Sequence, residues 1–293
     1  MRENNSGKIV EFGPVPWSRP EILECLEEFS RLYEERPIRD NRGGMKAPHM
    51  FAVWFMVRQL SPDIIVESGV WKGQSTWLLE KACPKAELFS IDLNLKTREY
   101  VSNRAIYSDK DFSEQDWSDL PDQSLVFFDD HQNAYRRLQQ CSWFGFRHII
   151  FEDNYPITKG DCYSLKKVFS EVGFDPFGSN KEPKDDGYLF KGRRRSDGSI
   201  EVTPLTLTPQ YESKIIAPNV CDAKMLRKRL EVYHEFPPVF KCDKTRWEDD
   251  WSDALYPTPK PLIERSTLAT HDIFLEEAIY YTWICYVRLK SIG

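Results

Sequence analysis

Between residues 61 and 155, short apolar runs alternate with helix-forming segments. That alternation constrains the fold more than any other feature of the chain. Residues 64–75 read Ile-Ile-Val-Glu-Ser-Gly-Val-Trp-Lys-Gly-Gln-Ser: a buried strand, a glycine-bearing turn and the opening of a helix. Strands are expected at 64–66, 88–92, 105–107, 125–129 and 148–153, and helices at 74–82, 134–144 and, briefly, 97–102. Apolar strands separated by helices imply a parallel sheet covered on both faces. In such sheets ligands lie in the crevice outside the carboxyl ends of the strands. An α/β fold of this kind is the expectation.

The flanks carry weaker signals. Ser18 and Glu21 have capping-box spacing with Pro20 in the first turn, and Ile22, Leu26, Phe29 and Tyr33 follow at helical intervals. Pro37 ends that pattern. A polar link at 39–44 leads to residues 49–60, apolar nearly all round and read as a buried helix. Beyond Asn154, residues 163–172 and 220–233 read as helices. Residues 188–191 and 200–203 flank Asp197-Gly198, a hairpin signal. Residues 243–270 read as a surface excursion and 280–289 as a last strand. The organisation expected is an N-terminal helical extension at 1–60 and one decorated α/β domain at 61–293, with insertions after residue 155. A small second unit from about residue 195 is the alternative.

Bulk properties exclude some classes of function. The formal net charge of −6 argues against a duplex nucleic-acid binder, which presents a basic face. The one basic run, Lys191 to Arg195, reads as a solvated hairpin edge. The seven cysteines include no Cys-x-x-Cys and no paired spacing, so reduced thiols in a cytoplasmic protein are expected. The apolar stretch at 50–57 is far short of the roughly 20 residues a membrane helix needs. A small-molecule partner is therefore expected, with no nucleic acid and no membrane; a homo-oligomer stays open.

Chemistry concentrates at the strand ends. Gly69 and Gly73 let backbone approach where a side chain would collide. The full Gly-x-Gly-x-x-Gly pattern of dinucleotide sites is missing, because Trp71 holds its second position, and no Gly-Lys-Ser/Thr makes a triphosphate loop. Glu67 would repel phosphate and suits a cationic or amine-bearing ligand. Asp92 closes the next strand.

Glu67-x-Gly69-x-x-x-Gly73 with Asp92 resembles the first two motifs of class I S-adenosylmethionine-dependent methyltransferases. That resemblance implies a Rossmann-like, mostly parallel sheet of the seven-strand type. It also implies Glu67 near the methionine amino group, Gly69, Gly73 and Ser75 lining the methionine end, and Asp92 on the ribose hydroxyls. Asp111 and Phe112 match positions where the family contacts adenine.

A second resemblance is narrower. Phe128-Asp129-Asp130-His131 and Glu152-Asp153-Asn154 are similar to the metal motifs of magnesium-dependent O-methyltransferases of the catechol O-methyltransferase type. The wording Glu-Ser-Gly-Val-Trp-Lys-Gly also resembles macrocin-type sugar O-methyltransferases. The implied ligands of Mg²⁺ or another divalent cation are Asp130, Asp153 and Asn154. Hard oxygen ligands at the ends of adjacent strands suit such a cation. The bland reading is that Asp129 and Asp130 cap a helix while Asp153-Asn154 makes a turn. Where the catechol enzymes carry a lysine two places after Asp-His, this chain has Asn133. His131, Asp130 or Asp129 is then left for catalytic proton handling. The expected function is an S-adenosylmethionine-dependent, divalent-metal-assisted O-methyltransferase acting on a hydroxylated small molecule or sugar. The rivals are a metal-independent methyltransferase, an α/β enzyme using a dinucleotide, and a non-catalytic scaffold on the same fold.

Overall fold

The computed structural model describes residues 9–157, 159–171, 190–194, 200–204 and 220–291. Five parallel strands, β1 (Ile64–Ser68), β2 (Glu87–Ile91), β3 (Ala105–Ser108), β4 (Ser124–Phe128) and β5 (His148–Phe151), form one sheet. A separate antiparallel pair, β6 (Phe190–Arg194) and β7 (Ile200–Pro204), is the expected hairpin; its Asp197-Gly198 turn and Arg195 lie outside the described residues. β8 (Leu230–Phe236) and β9 (Ile284–Leu289) complete the main sheet in the order 3-2-1-4-5-9-8. β9 runs antiparallel to both neighbours. The expected seven-strand α/β sheet is therefore present.

Both faces are covered, as near-continuous apolar strands require. Val66, Val126, Phe128 and Ile149 face α5 (Ala134–Phe144) and α6 (Leu165–Phe169). Ile65, Leu125, Phe127 and Ile150 face α3 (Ala47–Leu60) and α4 (Gln74–Ala82). α3 carries an unbroken buried run from Ala47 to Val57, which is why its pattern is apolar on all sides. Each buried Met, Phe or Val side chain in that run stabilises the fold by roughly 1.5–3 kcal/mol. α1 (Arg19–Glu24), opened by the Ser18/Glu21 capping box, and α2 (Leu26–Glu34) pack Ile22, Leu26, Phe29 and Tyr33 against the same core.

Three expectations are corrected. Residues 98–102 are not helical. Glu99 and Tyr100 give their N–H groups to the carbonyl of Lys72, which ties the segment to the β1–α4 turn. The helix expected over 220–233 stops at α7 (Val220–Arg229), and the chain continues as β8. Leu230 and Val232 to Phe236 pair with β9 across a register shift between Leu230 and Val232, and tertiary pairing wins over helical continuation. The last strand starts only at Ile284, since a 3₁₀ turn at Ala278–Tyr280 precedes it. No helix among the described residues is long and apolar enough to cross a membrane.

Candidate active site

A cavity of about 1070 Å³ opens at the carboxyl ends of the parallel strands. Ser68 ends β1 and Gly69 follows it, Asp92 follows β2, Asp111 follows β3, Asp129 to Gln132 follow β4, and Glu152 and Asp153 follow β5, all on its wall. Strand order reverses between β1 and β4, so this is the topological switch point of the sheet. The two strand ends approach closely there: a Cβ on Gly69 (φ 103°) would sit 2.1 Å from the Asp129 carbonyl. Gly73 (φ 91°) is glycine for a different reason, because a Cβ would meet the Tyr100 carbonyl at 2.3 Å. Its freedom serves packing of the turn.

The cofactor residues expected from sequence divide into two groups. Asp92 lines the cavity. Its Oδ2 accepts the N–H groups of Val70 (3.0 Å) and Trp71 (2.7 Å), and its Oδ1 that of Asn94 (2.8 Å). A carboxylate offers about four lone-pair directions, so Oδ1 retains one for a ligand hydroxyl. Trp71 itself stands in left-handed conformation (φ 44°), a conformation that concentrates at functional turns. Asp111 also lines the cavity. Glu67 and Ser75, by contrast, are buried beneath it. Glu67 Oε2 accepts hydrogen bonds from Thr76 (2.7 Å) and Ser90 (2.6 Å), while Oε1 has no partner. Burial pushes this carboxyl up to about 7, against the pull of the Ser75, Ser90 and Thr76 hydroxyls. The Phe112 ring is fully buried and packs edge-on against Phe128 (5.1 Å). It belongs to the core and not to the cavity wall.

The acidic residues regroup in the same way. Asp130 is engaged elsewhere: its Oδ2 accepts from Ser68 Oγ (2.7 Å) and lies 2.7 Å from Arg137 Nη2. Arg137, almost fully buried, also holds Asp111 at 2.6 Å and bonds Gln140. Asn154 donates to the Tyr233 hydroxyl and accepts from the Lys166 N–H, away from the cavity. The expected ligand set Asp130, Asp153 and Asn154 therefore does not converge. Asp129, His131 and Asp153 do, with one ligand atom from each within 4.8 Å of the others.

This trio is electrostatically unsettled. Asp129 and Asp153 are both held well above the carboxylate range, by burial and then by the neighbouring Glu152 charge. His131, with φ 53° and a side chain 43% exposed, turns its Nδ1 to Asp161 (3.0 Å). It lies 3.1 Å from Asp153 Oδ2 without hydrogen-bond alignment, which leaves both buried Asp153 oxygens without a hydrogen-bond partner. The Asp153 charge holds the imidazole well above its usual range, outweighing burial. An imidazolium cannot accept a proton, so His131 is a poor base in this state. Asp129, Asp153 and Asp161 all act on the imidazolium, and orphaned buried acceptors such as the two Asp153 oxygens suit a bound metal ion.

Several cavity residues carried no readable sequence signal. Glu152 sat inside the acidic motif without a role. Arg137 and Asp161 gave nothing at all. Lys46, Lys159, Arg246, Trp247 and Tyr280 converge on the outer wall from distant parts of the chain. Trp247 packs edge-on against Tyr155 (5.8 Å).

No family model matches this chain, and no curated protein matches it. Among solved structures, it is similar to a Klebsiella pneumoniae chain described as an O-methyltransferase, at 13% identity over 92% of this chain and 90% of that one, with a TM-score of 0.41. The SAH-bound methyltransferase PaMTH1 of Podospora anserina matches at 17% identity over 51% of this chain and 65% of its own (TM-score 0.34). A Staphylococcus aureus chain described as a caffeoyl-CoA O-methyltransferase matches at 16% identity over 44% and 65% (TM-score 0.31). Likeness at this level concerns architecture alone. By its own strand order, with one antiparallel strand set between two parallel to each other, the chain has the class I methyltransferase fold.

Proposed function

We propose that this chain is an S-adenosylmethionine-dependent O-methyltransferase, assisted by a divalent cation, acting on a hydroxylated small molecule or sugar. The observation that carries the reading is one cavity at the switch point with Asp92 on one wall and the Asp129, His131 and Asp153 group on another. The cavity volume of about 1070 Å³ lies just above the roughly 300–1,000 Å³ usual for small-ligand sites, enough for a nucleoside donor beside an acceptor.

Asp92 Oδ1 is the acceptor for the donor's ribose hydroxyls. Ser68 and Gly69 line the methionine end, and the missing Cβ of Gly69 keeps that end open between β1 and β4. Glu67 braces the turn from below through Thr76 and Ser90. Asp129, His131 and Asp153 would hold the cation once the imidazolium gives up its proton, and the neutral ring nitrogen widens the choice from Mg²⁺ to first-row transition cations. A bound cation supplies Lewis-acid polarisation of the acceptor hydroxyl, lowering its pKa. Arg137 ties up Asp130 and Asp111, so the uncompensated negative charge collects beside Asp153. The residues otherwise act by placement, since an in-line methyl displacement gains most from alignment of its two reactants.

Calorimetric titration with S-adenosylmethionine, S-adenosylhomocysteine and NAD, each with and without Mg²⁺, tests the reading. Binding of both sulfur nucleosides and not of NAD is expected. Failure of both to bind would reject the proposal, and methylation of a hydroxylated acceptor panel at full rate in EDTA would reject its metal component.

A further inference from the structure

We infer that His49, on α3, is a positioning residue for the cation site, holding the Glu152 carboxylate in place at the cavity wall. The inference rests on the metal-assisted reading above and extends it to a helix far from the strand-end motifs.

The His49 side chain is buried at 1% exposure. Its Nε2 accepts the backbone N–H of Thr282 at 2.9 Å, with Thr282 Oγ1 3.4 Å away. A ring nitrogen that accepts carries no proton, so a neutral imidazole must place its hydrogen on Nδ1. Nδ1 lies 2.5 Å from Glu152 Oε1. The donor direction is thereby fixed: backbone sets the tautomer, and the tautomer presents an N–H to the carboxylate. Tyr281 packs edge-on against the ring at 5.5 Å. Turning the ring over would break both hydrogen bonds at once, so α3 and the approach to β9 together hold it in one orientation.

Glu152 matters because of where it sits. It follows β5 immediately, lines the cavity, and is the strongest neighbouring charge acting on both Asp129 and Asp153. With Oε1 held by His49, Oε2 is the oxygen left to face a cation between the two strand ends. A carboxylate without that restraint could rotate towards other donors and lose its aim. Supporting groups of this kind typically change metal affinity about 10–100-fold when removed. In the sequence His49 reads as a cap of the helix beginning there, or as part of a lid with Gly43-Gly44-Met45; the helix in fact begins at Ala47 after Lys46, and His49 lies inside it. The contact spans 103 positions.

The test uses the full chain and Mn²⁺ as probe, with binding followed by calorimetry at fixed pH. His49→Leu should weaken Mn²⁺ binding about 10–100-fold. His49→Asn, whose amide nitrogen falls near the Nδ1 position, should recover most of that loss. S-adenosylhomocysteine affinity should stay constant in both variants, reporting that the cavity is intact. Glu152→Gln leaves α3 untouched and should weaken Mn²⁺ binding on its own. Combined with His49→Asn, it should make the choice of residue 49 nearly irrelevant to Mn²⁺, because the two side chains act as one unit. Wild-type Mn²⁺ affinity in His49→Leu or in Glu152→Gln overturns the inference, as does an Asn variant no better than Leu. A wild-type chain that binds no Mn²⁺ overturns the metal reading itself, a result distinct from equal binding across the series.

Discussion

Glu67→Gln offers a quantitative check on the electrostatics under the cavity. Burial raises the Glu67 carboxyl from 4.5 to about 7 in the folded chain. A carboxyl with a raised folded pKa favours folding least above that pKa, once both states are ionised. Below pH 4.5 both states are protonated and the group contributes nothing. Between 4.5 and 7 the unfolded state releases its proton first, and stability falls; above 7 the loss is complete. At roughly 1.4 kcal/mol per tenfold change in proton affinity, that loss comes to about 3–4 kcal/mol. Glutamine cannot ionise, and its amide oxygen can still accept from Ser90 and Thr76. The variant should therefore gain about 3–4 kcal/mol on the wild type between pH 4 and pH 8. Urea unfolding of both proteins across that range measures the difference, in which the other titrating groups largely cancel. A difference that stays flat with pH refutes the assignment of Glu67 as a buried, half-neutral brace.

Other substitutions probe other parts of the site. Asp153→Ala should abolish measurable Mn²⁺ binding while leaving S-adenosylhomocysteine affinity nearly unchanged, as read by paired titrations. Arg137→Met strands Asp111 and Asp130 and should destabilise the fold by about 3–5 kcal/mol in denaturant unfolding near neutral pH. In the wild type, burial works against the Asp111 charge, but Arg137 outweighs it and lowers the carboxyl to about 2. That stability is present above about 3.8 and is lost as pH falls through about 2, so the gap between variant and wild type should narrow on acidification. Gly69→Ala puts a methyl 2.1 Å from the Asp129 carbonyl and should cost both stability and nucleoside affinity. Gly145→Ala, at similar φ but with nothing within 4 Å, should cost only about 1–2 kcal/mol of left-handed strain and leave binding intact.

The sheet was legible because its strands are buried on both faces, so their apolar runs stand out between helices with ordinary signals. α4 and α5 begin and end where their patterns do. β8 was not legible as a strand: it continues straight from α7 with no turn residue between them, and only its partner β9 makes it a strand. At the site, the strand-end acids were readable as a class but not as individuals. Asp129 and Asp130 are neighbours of the same chemistry, and Arg137, seven residues past Asp130 on α5, decides which of them is neutralised. Glu67 and Asp92 likewise look equivalent in sequence. Residue parity along β1 sends Glu67 towards Thr76 under the sheet end, while Asp92 lies beyond β2 and reaches the open crevice. Contacts such as His49 with Glu152 are set by tertiary packing over long separations and leave no local trace.

The central claim is that one crevice holds a sulfur nucleoside and a divalent cation side by side. Proton NMR relaxation of S-adenosylhomocysteine, titrated with the full chain and Mn²⁺, measures that proximity directly. The account predicts strong paramagnetic broadening of the protons nearest the sulfur, lost in Asp153→Ala although the nucleoside still binds. Nucleoside that binds with its resonances untouched by protein-bound Mn²⁺ would contradict it.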